Sequence, residues 1–91
     1  MKTILKALFK ELNATAEEYT LVNNYGYLIK GEEYTLDVQH TLNVYGVAVD
    51  YWKLTVSRTT APGEPFQHVA SYNLSPEMRQ AELVSIFKKY L

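Results

Sequence analysis

The sequence predicts an α+β domain in which an N-terminal and a C-terminal helix bracket an antiparallel meander of four to five strands and pack on one face of it. Three observations carry this expectation. Residues 33–58 read as one long β-hairpin, residues 3–13 and the stretch after Ser75 repeat apolar groups at helical spacing, and 91 residues with 47% apolar content suit one two-layered core. A single domain over residues 1–91 follows.

In the first helix, Ile4, Leu5, Leu8, Phe9 and Leu12 recur at helical spacing, while Lys2, Lys6 and Lys10 step by four on another face. From Glu18 to Asn23, Tyr19 and Leu21 alternate with Thr20 and Val22, the period of a strand. Asn23-Asn24-Tyr25-Gly26 tolerates positive φ and reads as a turn into a second strand over Tyr27–Lys30. Lys30-Gly31-Glu32 makes the next turn.

The hairpin begins with Tyr34, Leu36, Val38, Leu42 and Val44 in one phase and Glu33, Thr35, Asp37, Gln39, Thr41 and Asn43 in the other. Only His40 interrupts the apolar set. A two-residue loop at Tyr45-Gly46 pairs Val44 with Val47, Leu42 with Val49 and His40 with Tyr51. Beyond Tyr51 the apolar phase passes to Trp52, Leu54 and Val56. An extra residue at Tyr51/Trp52, a β-bulge, then sets Leu54 opposite Val38 and Val56 opposite Leu36.

Thr59–Pro65 contains two prolines and a glycine and reads as a loop. Phe66–Leu74 is the last strand, with Phe66, His68, Ala70, Tyr72 and Leu74 in one phase and Val69 outside it. Ser75-Pro76-Glu77 combines a capping hydroxyl, a proline at the first helical position and an early carboxylate, so the second helix starts there. Its stripe is Leu83, Ile86, Phe87 and Tyr90, widened by Val84 and Leu91, with Lys88-Lys89 in the last turn. The element order resembles double-stranded-RNA-binding domains in topology alone. Those domains open their second helix with a basic cluster, where this chain reads Ser75-Pro76-Glu77-Met78.

Chemistry is sparse. The chain has no cysteine, which excludes disulfides, thiolate zinc sites and cysteine nucleophiles and suits a reducing cytoplasm. No apolar stretch approaches the roughly 18 residues of a membrane span, and Met1-Lys2-Thr3-Ile4 opens no signal-peptide core, so a cytoplasmic location is expected. His40 and His68 stand without an H-x-x-x-H or D-x-D pattern, so neither metal nor cofactor is expected. There is no G-x-S-x-G, and Ser57, Ser71, Ser75 and Ser85 fit strand, strand, cap and helix-surface positions. The glycines at 26, 31, 46 and 63 stand singly and read as turn residues, which leaves no phosphate-binding loop. The expectation is that the protein is not an enzyme.

Charge and tyrosine content are the remaining signals. The net charge is −1, but residues 11–50 sum to −6, with Lys30 the lone cation there. Tyr25, Tyr27, Tyr45 and Tyr51, of eight tyrosines, fall at expected turns or strand ends, where a rigid ring with a polar tip favours binding surfaces. The expected function is a non-enzymatic protein-binding module, an inhibitor or adaptor of the small kind carried by bacteriophages and mobile elements. Glu32, Glu33, Asp37, Tyr25, Tyr27 and Tyr45 are its expected partner-binding residues. A host nucleic-acid enzyme such as a CRISPR effector is the expected partner, because acidic side chains can occupy a site built for phosphate. One alternative is a nucleic-acid-binding module using Lys2, Lys6, Lys10, Lys53 and Arg58, although the acids of the outer strand face would repel a phosphate backbone. Another is a self-associating subunit, a homodimer, joined through an exposed sheet edge.

Overall fold

The hydrophobic periods become seven elements: α1 (Lys2–Glu11), β1 (Glu17–Thr20), β2 (Asn24–Lys30), β3 (Tyr34–Val44), β4 (Val47–Arg58), β5 (Gln67–Leu74) and α2 (Gln80–Lys88). The computed structural model describes residues 2–21, 24–44, 47–65, 67–75 and 77–91, with side chains at all of these except 41–44 and 47–51. The strands form one antiparallel sheet in the order β1-β2-β3-β4-β5. Alternate residues Tyr27 and Ile29, Leu36 and Val38, and Trp52, Leu54 and Val56 meet Leu5, Leu8 and Phe9 of α1 and Leu83 and Phe87 of α2 in one core. Both helices therefore cover the same face. The other face carries Tyr19, Asp37, Gln39, Lys53, Ser71 and Asn73, and no described element lies over it.

The hairpin register is as the apolar phases require: Val44 opposes Val47, Val38 opposes Leu54 and Leu36 opposes Val56. The extra residue sits earlier than predicted. Thr41 pairs with Tyr51 and Asn43 with Ala48, so Val49 and Asp50 both oppose Leu42, and His40 faces Trp52 instead of Tyr51. Aromatic packing explains the position. The His40 ring stacks on Trp52 at 4.3 Å and 16°, and Tyr25 stands edge-on to both at 5.2 and 5.5 Å. Trp52 must already be in phase with the core, so the phase change precedes it. The Tyr45-Gly46 loop lies outside the described residues.

A second irregularity was not anticipated. Val56 pairs with Ala70 but Ser57 with His68, which leaves Val69 as an added residue of β5 and moves His68 onto the uncovered face. That is why Val69 fell out of phase.

Asn24-Tyr25-Gly26 is strand, not turn: Gly26 pairs with both Tyr19 and Gln39. The glycine permits a close approach. A Cβ there would collide with the Val38 carbonyl oxygen and lie 2.7 Å from the Tyr19 hydroxyl. The β1–β2 hairpin instead closes where Leu21 and Asn24 exchange backbone hydrogen bonds of 2.7 and 3.3 Å.

Both helices are bounded by local hydrogen bonding. α1 stops at Asn13, whose φ of 54° lets the Asn13 N–H donate to the Lys10 carbonyl (3.2 Å) and the Ala14 N–H to the Phe9 carbonyl (2.8 Å), a Schellman closure. α2 starts later than the Ser75 signal implied. The Ser75 hydroxyl accepts from the Glu77 N–H (3.2 Å) and its carbonyl from the Met78 N–H (3.1 Å), which makes an isolated turn. Arg79 then turns extended, with ψ 148°, and caps α2 without a side-chain hydrogen bond.

Candidate binding surface

The β2–β3 turn is held from outside. Its own closure is the Gly31 N–H donating to the Tyr34 carbonyl at 2.9 Å. Thr59, just past β4, then adds two bonds, its N–H to the Glu33 carbonyl (2.9 Å) and its hydroxyl to the Gly31 carbonyl (2.8 Å), with the Thr35 hydroxyl 3.0 Å from its own. Glu32 and Glu33 are exposed on this pinned backbone. Beside them lies an open cleft of about 310 Å³, bounded also by Tyr34, Lys89 and Tyr90. Tyr34 stands edge-on to Tyr90 at 5.3 Å, and the Tyr90 and Tyr72 hydroxyls are 2.5 Å apart.

On the uncovered face, register places Glu17, Leu28 and Asp37 in one row across β1–β3 and Gln39, Lys53 and Asn73 in the next across β3–β5. The face therefore grades from acidic at β1–β3 to a cation at β4. Tyr19 crosses Gly26 to donate its hydroxyl to Asp37 Oδ1 at 2.6 Å. Burial, that hydrogen bond and the Asp37 charge together hold the Tyr19 phenol protonated far above the ordinary tyrosine range.

The six residues singled out by sequence separate accordingly. Glu32 and Glu33 are exposed and adjacent. Asp37 is half-buried and already engaged by Tyr19. Tyr25 is half-buried on the helix-covered side, with Lys2 Nζ 4.7 Å above its ring. Tyr27 is 3% exposed and packs edge-on against Phe9 at 5.3 Å, so it is a core residue and not a contact for a partner. Its misplacement came from reading 23–26 as a turn, whereas β2 already runs through it. Tyr45 lies outside the described residues.

Two features escaped the sequence reading. One is the reach of Tyr19 across the sheet, for which a strand glycine opposite an aromatic is the available signal. The other is a 2.8 Å contact between His68 Nε2 and the Ser71 hydroxyl, a nucleophile–base pair in form. It sits on an exposed sheet face, outside the cleft beside Glu32 and Glu33. Among the described residues no three His, Cys, Asp or Glu side chains gather as a metal site, and no helix is long and apolar enough to cross a membrane. The chain matches no family model, no curated protein and no solved structure at a significant level.

Proposed function

We propose that this chain is a non-enzymatic binding module that docks its acidic side against a basic surface of a protein partner, as an inhibitor or adaptor does. The pinned acidic turn carries the reading. Among the described residues the one ion pair is Lys2–Glu18 at 3.3 Å, so Glu32 and Glu33 face solvent without a compensating cation in contact. Their backbone is fixed before any partner arrives, which lowers the ordering cost of binding, and exposed carboxylates held in no ion pair steer a basic partner towards them. Glu17 extends the acidic surface along the uncovered face. A groove built for phosphate is basic, so an enzyme that handles nucleic acid, such as a host CRISPR effector, is the partner class we favour. A compact cysteine-free chain suits such an inhibitor acting in the cytoplasm on behalf of a phage or mobile element.

The test pairs nuclease-treated capture from the source cell with association kinetics. Glu32→Lys/Glu33→Lys should leave folding intact, since both side chains are exposed, while slowing association and weakening its salt dependence. Asp37 is kept, because its loss would unfasten Tyr19. Unchanged association of the reversed variant, or loss of the partner on nuclease treatment, rejects this reading.

A further inference from the structure

The β2–β3 turn lacks the backbone that holds a tight hairpin on its own. Glu32 and Glu33 are its two central residues, between Gly31 and Tyr34, whose closure is the Gly31 N–H donating to the Tyr34 carbonyl. A two-residue loop matches the twist of its strands when the first central residue, or both, takes a positive φ. Among the described residues positive φ occurs at Asn13 and Gly63 alone, so neither glutamate adopts it. The missing support comes from the far side of the next hairpin. Thr59 follows β4 directly, next to the pair Tyr34–Arg58. Its hydroxyl donates to the Gly31 carbonyl (2.8 Å) and its N–H to the Glu33 carbonyl (2.9 Å), so it grips the peptide on each flank of the glutamate pair.

The direction of the third bond follows from proton count. A threonine hydroxyl has one proton, and that of Thr59 is committed to Gly31. Thr35, whose hydroxyl lies 3.0 Å from that of Thr59, is therefore the donor to it. Thr35, Thr59 and Gly31 form one directed chain in which each hydrogen bond polarises the next. We propose that Thr59 is the positioning residue of the acidic turn: oriented by Thr35, it clamps the backbone on both sides of Glu32 and Glu33, and the joint presentation of their carboxylates depends on that clamp. This deepens the docking role given to those glutamates above and rests on it. Thr59 itself needs no contact with a partner, since it acts through the backbone of the residues that make one.

Amide hydrogen exchange of the full chain carrying Thr59→Val, Thr59→Ser or Thr35→Val tests the clamp. Valine keeps the branched shape and the backbone N–H but removes the donor, so exchange at Gly31 should quicken about fivefold, the worth of about one hydrogen bond. Serine keeps the hydroxyl and should hold exchange near the native rate. Thr35→Val removes the orienting donor and should quicken exchange by less than Thr59→Val does. Exchange at Leu36 and Val38, in the core ladder, should stay native in all three, which separates a loosened turn from a lost fold. If Thr59→Val disturbs that ladder, Thr35→Val decides. Unchanged Gly31 exchange in the deciding valine variant, or equal quickening in Thr59→Ser, overturns the proposal. Against the protein captured by the native chain, Thr59→Val should weaken binding by the same factor at every salt concentration, because no charge changes, whereas Glu32→Lys/Glu33→Lys alters the salt dependence. A loosened Thr59→Val turn that binds as tightly as native removes the positioning role and leaves the docking reading standing. A charge-reversed chain that associates as native removes the docking reading itself, whatever the exchange shows.

Discussion

The Tyr27 hydroxyl is buried with no hydrogen-bond partner among the described residues, while its ring does the work of a core phenylalanine against Phe9. A buried hydroxyl left unpaired costs about 1–3 kcal/mol, so Tyr27→Phe should stabilise the fold by about 1 kcal/mol. Urea unfolding should show this as a higher midpoint at unchanged slope. A lower midpoint would mean that the hydroxyl is satisfied after all. Three phenols also tie stability to pH. Tyr19 is raised by burial, its bond to Asp37 and that residue's charge, Tyr27 by burial and the Glu18 and Tyr25 charges, and Tyr90 by its bond to Tyr72, then burial and its tyrosine neighbours. Each stays protonated in the folded chain after its unfolded counterpart ionises. The folded state then binds more protons, so these groups leave stability intact below about pH 10 and erode it as pH rises above that. Unfolding midpoints followed upward from neutral pH should fall in that window, and Tyr19→Phe should flatten part of the fall. An equal decline in Tyr19→Phe would assign it to other groups.

Helix and strand existence was legible at the level of elements, because the core periods of α1, β3 and β4 are long enough to exclude another reading. Their ends were less so, since they depend on competing local hydrogen bonds. Ser75 shows why: its hydroxyl is as good a partner for an isolated turn as for a helix start, and the turn wins. The true cap, Arg79, has the extended backbone of a capping residue but no side-chain acceptor in use. Arg79→Ser should therefore stabilise the chain by about 0.5–1 kcal/mol, since a hydroxyl there bonds the first turn and Glu82 stands three residues on to complete a capping box. A thermal melt with no gain would show the start of α2 held by its Gln80–Glu11 side-chain bond instead. The bulge was legible in number but not in place. Alternation shows that one residue is surplus between Val44 and Leu54; only the stacking of His40 on Trp52 decides where it goes.

For the whole molecule, the apolar face was readable and the candidate surface only partly so. The exposure of Glu32 and Glu33 was legible because charged residues beside a turn glycine face solvent in most settings. The engagement of Asp37 and the burial of Tyr27 were not legible, because they depend on neighbours distant in the chain, Tyr19 across β2 and Phe9 on α1, which no local spacing reveals. Position in the sheet also bears on how this chain finds its fold. Every strand pairs with its sequence neighbours and none crosses over, so each addition to the sheet closes only a short loop. The main distant contacts are those that bring α2 back beside α1. A low entropic toll on search predicts refolding faster than that of sandwiches or barrels of equal length, with the C-terminal helix docking last. Stopped-flow refolding with substitutions at Leu83 and Phe87 would read this directly: they should speed unfolding while barely slowing folding, whereas slowed folding would place that helix in the nucleus.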